Sequence, residues 1–162
     1  MNPVTRDLPR ILERHDAIAV GTRDEELRPA ATMAVGVAFD CERNRVTVFV
    51  PEATSEDVLS NLRANGEFAA VFEEVLTHHT VQLKGKVVEM RPAVDAERAA
   101  VERCIEGFFK QVEAVGAPSS MVRRKRIWPC HAITFEVRDV FEQTPGPKAG
   151  QPLGESPPAS AP

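Results

Sequence analysis

Cysteine is scarce in this chain, long apolar runs are missing, and basic residues do not outnumber acidic ones. Three cysteines in 162 residues (Cys41, Cys104, Cys130) are odd in number and widely spaced. That pattern speaks against a disulfide framework and suits reduced thiols in a cytoplasm. No apolar run approaches the roughly 18 residues that a membrane-spanning helix needs. The start, Met1-Asn2-Pro3-Val4-Thr5-Arg6-Asp7, carries no apolar segment of the secretory kind. Twenty Lys and Arg stand against 24 Asp and Glu, a formal net charge of −4. Nucleic-acid binding driven by overall charge is therefore disfavoured. The expectation is a cytoplasmic protein with neither nucleic acid nor membrane as partner.

What is present is enough apolar content for one sizeable core, 43% of residues, so a single domain is the default. Asp7 can cap a short helix through about Asp16, with Leu8, Ile11 and Leu12 on its apolar side. Strands are expected over Ala17–Thr22, Ala31–Phe39 and Arg45–Val50, the last ended by Pro51. Thr54-Ser55-Glu56-Asp57 reads as a helix start, Val58, Leu59 and Leu62 as the helix's apolar face, and Asn65-Gly66 as its stop. Phe68–Phe72 is a buried strand candidate. The next run, His79–Val88, alternates apolar Val81, Leu83 and Val87 with polar Thr80, Gln82, Lys84 and Lys86. That is the period of a half-buried strand, and Gly85 within it marks a bulge or a close backbone approach.

Asp95 is expected to cap the longest helix, where Val101, Ile105, Phe108, Phe109 and Val112 recur at helical spacing. The last strand covers Ala132–Val137 and extends towards Phe141. Residues 143–162, rich in Pro, Gly, Ser and Ala, are expected to form a disordered tail, leaving 1–142 as the folded domain. Connections as short as residues 23–28 and 40–44 require antiparallel pairing. The expected class is mainly β (α+β): a six-stranded antiparallel barrel with flanking helices.

The ordered set Ile18-Ala19-Val20-Gly21-Thr22, Arg28-Pro29, Val46–Val50, Leu59–Asn65, Val81–Val87 and Trp128-Pro129 resembles the FMN-binding split barrel of the pyridoxamine 5′-phosphate oxidase-like superfamily. The likeness spans roughly residues 7 to 142. It implies a homodimer with flavin mononucleotide in clefts at the shared interface, and redox chemistry on a small molecule by a flavin-dependent oxidoreductase. Relatives that bind haem or a deazaflavin make these the alternative cofactors. In the oxidase an Arg and a Lys on the second strand, and an Arg-Lys pair at the following helix, hold the flavin phosphate. Ungapped alignment puts Thr32, Val37, Asp57 and Val58 at those positions, and Thr80 where a flavin-contacting Gln is found. The resemblance therefore also leaves room for a non-catalytic ligand-binding module, for haem or another planar cofactor, that has lost the phosphate grip.

The candidate cofactor-binding residues are accordingly the hydroxyls of Thr32, Thr54 and Ser55, together with Thr80, Gln82, Lys84 and the only tryptophan, Trp128. Gln82 and Lys84 compete with a plain solvent-facing strand, and Trp128 with a core role. His78-His79 lacks the companions of a metal site, so no metal is assigned. Cys130-His131 reads as a core thiol beside a diverging ring. Arg123-Arg124-Lys125-Arg126 is a dense basic run that could bind a phosphate, an acidic substrate or nucleic acid, but reads rather as a solvated turn or a dimer contact. No catalytic residue can be named.

Overall fold

The computed structural model describes residues 17–118, 120 and 126–153. The expected helix at 7–16, residues 123–125 of the basic run and the tail from 154 onward lie outside them.

Seven strands form one antiparallel sheet: β1 (Ala17–Arg23), β2 (Pro29–Ala34), β3 (Gly36–Asp40), β4 (Arg45–Pro51), β5 (Glu67–Glu73), β6 (Thr80–Pro92) and β7 (Cys130–Glu142). Their order is β2-β1-β5-β6-β7-β4-β3. The strand expected over 31–39 is two strands, which corrects the count from six to seven. Val35 divides them: its N–H leaves the β2 ladder and donates to Phe49 O at 2.8 Å. β2 pairs with β1 at one edge of the sheet, and β3 pairs with β4 at the other. One bent segment thus supplies both edges and curls the sheet onto itself, which removes exposed edges.

The alternation of β6 is real. Val81, Leu83 and Gly85 are buried while Lys84 is exposed and Gln82 half-exposed. The interior is filled by large side chains such as Phe72, Leu83, Ile133 and Phe135, all under 2% exposed. Each contributes about 1.5–3 kcal/mol through burial, and the Phe68 and Phe135 rings meet at 4.6 Å. The ladder between β6 and β7 shifts register at Lys84/Gly85 and again at Val87/Glu89. A Cβ on Gly85 would overlap the carbonyl oxygen of Glu136, so the close approach there requires glycine.

Helix α1 (Glu56–Asn65) buries Val58, Leu59 and Leu62 against the barrel. It follows a 3-10 turn at Glu52–Thr54, so Ser55 rather than Thr54 occupies the cap position. Gly66 stops it in the left-handed conformation, φ 67°, returning its N–H to Leu62 O. Asn61 and Asn65 tie the helix to β1 through Thr22 Oγ1 and Arg23 O.

Helix α2 (Asp95–Ala114) lies outside the barrel against β3. Its buried stripe Val101, Ile105, Phe109 joins Val35, Phe49, Cys130 and Ala132 in a second apolar cluster. Asp95 is the first helical residue, not its cap. Val94 holds the cap position, and Glu97 supplies the carboxylate that accepts the Val94 N–H at 2.9 Å.

The chain after β7 continues to pack. Leu153 N–H donates to Val140 O, Pro152 bridges to Phe141, and Leu153 sits against the main core. Residues 143–153 thus line the stretch of β7 that β4 leaves unpaired.

Candidate functional site

The bend at Val35 opens a space that neither core fills. A cavity of about 360 Å³ lies between the β2–β3 bend, the 3-10 turn and α2, within the roughly 300–1,000 Å³ of small-molecule sites. Its walls are mostly apolar: Met33 and Val35 from the bend, Ile105 and Phe108 from α2. Cys104 adds a half-buried thiol. The polar groups are few and local. Thr32 Oγ1 and Thr54 Oγ1 share a hydrogen bond of 2.9 Å across the cavity wall. Next to Thr54 in sequence, Ser55 is fully buried, and its Oγ has no hydrogen-bond partner, a condition costing about 1–3 kcal/mol. Arg126 is the only charged side chain among the described residues that line the cavity.

The outer face of the sheet begins at the same place. Cross-strand partners share a face, so the row Met33, Ala19, Val71, Gln82, Phe141 runs outside the barrel from the cavity wall to β7. Three strand spacings, about 14 Å, separate Met33 from Gln82. The neighbouring row is Ala31, Gly21, Ala69 and Lys84. Gln82 Oε1 accepts a hydrogen bond from Gln143 Nε2 at 3.3 Å. The Lys84 ammonium lies 4.7 Å from the centre of the Phe141 ring.

No family model matches the chain, and no curated protein does. Among solved structures, HupZ of Group A Streptococcus superposes with a TM-score of 0.52 at 15% identity, covering 90% of this chain and 98% of that one. A pyridoxamine 5′-phosphate oxidase-related, FMN-binding protein of Nostoc punctiforme gives 0.51 at 12% identity, over 91% and 87%. An F420 reductase gives 0.50 at 15% identity, over 81% and 93%. The fold is that of the pyridoxamine 5′-phosphate oxidase-like split barrel.

Within this split barrel the candidate residues fall into separate groups. Thr32 and Thr54 meet in the cavity, whereas Ser55 is fully buried and is not among the residues that line it. Gln82 and Lys84 lie on the outer face and do not line it. Thr80 is buried at the far end of β6, where its hydroxyl donates to His78 O at 2.8 Å and its N–H to Thr144 Oγ1 at 3.0 Å. Trp128 is half-buried in the second cluster, with the Arg98 guanidinium 5.7 Å from its ring centre.

His78 and His79 sit in the turn before β6 rather than on it. His78 has φ 59° and its Nδ1 lies 2.8 Å from Glu73 Oε1. Cys130 is buried in the second cluster and donates to Ile127 O at 2.6 Å. Burial pushes its thiol up to about 11, so it stays protonated and unreactive at neutral pH. Most of the cavity lining, Arg126, Cys104 and Phe108 among it, was not assigned to a site from sequence.

Proposed function

We propose that this split barrel is a flavin-binding protein, working as a homodimeric FMN-dependent oxidoreductase on a small molecule in the cytoplasm. The observation that carries the reading is the cavity itself, apolar on most sides with its polar groups confined to Thr32, Thr54 and Arg126. A flavin mononucleotide asks for that division: an apolar slot for a planar ring, and donors for a phosphate. The donor set fits the phosphate end, with two hydroxyls already within bonding distance of each other and one guanidinium. The FMN-binding protein of Nostoc punctiforme and the F420 reductase, which share the fold, support a flavin-type occupant.

Bound flavin would supply the hydride or electron transfer. The chain's part is to hold and shield the cofactor. Val35, Ile105 and Phe108 keep water from the ring, and the Thr32 and Thr54 hydroxyls fix the polar end. The outer face beside the cavity supports the homodimer. Ala19, Ala31 and Met33 are exposed there and Ala69 and Val71 half-exposed, a flat apolar surface with few charges. Gln82 and Lys84, on the same face, would reach a cofactor only from across such an interface.

A second reading has its own observation. Asp57 is exposed in the first turn of α1, and Val58 is buried in the core, so neither supplies the cation found there in the oxidase. That favours a non-catalytic module for haem or another planar ligand. The visible spectrum of the purified protein tests the flavin reading. An absorbance band near ~450 nm, present at purification or retained through gel filtration after adding FMN, is expected. A colourless protein that releases all added FMN would contradict it.

A further inference from the structure

We infer that Arg126 is the phosphate-binding cation of this chain, taking over from a different part of the sequence the role that Thr32, Val37, Asp57 and Val58 cannot fill. The inference rests on the flavin reading of the cavity and names the group that makes it selective. Three of the four positions are disqualified by burial or by side-chain chemistry. Val58 is 1% exposed inside the barrel, Val37 lines the cavity but is apolar, and Asp57 is an exposed acid. Thr32 offers a hydroxyl but no charge. A phosphate monoester held by hydroxyls alone would lose much of its hydration for neutral donors, whereas a guanidinium supplies charge-assisted, forked hydrogen bonds.

Register explains how residue 126 comes to the 3-10 turn. β4 and β7 pair antiparallel through Val50↔His131 and Pro51↔Cys130. The pairing continues one step further as Glu52 N–H donates to Pro129 O at 2.9 Å. The chain just before Pro129 is thereby brought near the 3-10 turn, and Arg126 joins Thr32, Ala53 and Thr54 in lining the cavity. The same stretch is anchored by Cys130 Sγ–H to Ile127 O and by the packing of Ile127 and Trp128 on the second cluster. The cation, itself exposed, thus follows an anchored segment into the cavity wall that carries the Thr32–Thr54 hydroxyl pair.

The test compares FMN with riboflavin, which has the same ring and no phosphate. Dissociation constants come from flavin fluorescence quenching for the wild type, Arg126→Ala, Arg126→Lys and Arg103→Ala. The last removes an exposed cation on α2 and controls for net charge. Arg126→Ala is expected to weaken FMN about tenfold to a hundredfold and riboflavin less than about twofold, with Arg126→Lys between. Arg103→Ala is expected to leave both unchanged. Circular dichroism confirms that each variant is folded. Equal losses for both flavins, no loss for either, or a wild type that binds riboflavin as tightly as FMN would each overturn the assignment while leaving the flavin reading standing. A wild type that binds neither flavin overturns both.

Discussion

Gly85 shows how far a single residue governs this molecule. It sits at the first register shift between β6 and β7, with the Glu136 carbonyl where a Cβ would go and Phe135 Cδ2 3.0 Å from that position. Carbonyl and ring belong to a stretch of β7 paired with both β4 and β6, so neither yields cheaply. Gly85→Ala is expected to cost about 2–3 kcal/mol or more, read as a lower urea midpoint with an unchanged slope. A variant as stable as the wild type would contradict the close approach. This residue was legible in the sequence, since a glycine amid strict alternation has few explanations. Arg126 was not. In the sequence it is one of four consecutive basic residues, and its place in the cavity wall depends on the pairing of β4 with β7, elements far apart along the chain. Thr32 and Thr54 lie between: each was a candidate, but their mutual hydrogen bond depends on two elements 22 residues apart.

Among the elements, α2 has the plainest anchor. Glu97 accepts two hydrogen bonds from Arg91, at 2.9 and 2.7 Å, and one from the Val94 N–H, so one carboxylate joins the end of β6 to the start of the helix. The Arg91 guanidinium, first of all, holds the Glu97 carboxyl below the usual glutamate range. A carboxyl depressed on folding contributes stability above its ordinary value and loses it as pH falls through the depressed one. Glu97→Gln is expected to lower stability by about 1–2 kcal/mol near neutral pH. Little of that comes from the partly exposed charge pair itself. The gap to the wild type should close only as pH falls through that depressed value, where the wild-type side chain also becomes neutral. Urea midpoints at several pH values check this, and a gap independent of pH would count against it.

The period of α2 and its buried face were visible in sequence, but its cap was not, because Asp95 is the more familiar signal and Val94 carries no side-chain oxygen. The break at Val35 was hidden for a related reason. Residues 31–39 keep one chemical character throughout, and what divides them is a hydrogen bond to Phe49. Composition likewise concealed that residues 143–153 pair with β7, since a few backbone bonds and one leucine hold them.

At the scale of the whole molecule, the bent β2–β3 segment does two things at once. It gives the sheet both its edges, and it leaves a gap between barrel, 3-10 turn and α2 that is lined by residues from about 17 to 126. Barrel class follows from strand pattern and short connections, which is why it could be read in advance. The cavity follows from closure, which no local pattern records.

The central claim is that this gap holds the flavin, and filling it is the most direct test. Ala53 is exposed on the 3-10 turn and Cys104 half-buried on α2, and both line the cavity. Ala53→Trp and Cys104→Trp place an indole in the space from opposite walls without touching the barrel interior. FMN titrations of the two variants and the wild type, each checked for an unchanged thermal midpoint, give the decisive comparison. The account predicts saturable quenching by the wild type and affinity at least about tenfold weaker in both variants. Folded variants that bind FMN as tightly as the wild type would contradict it.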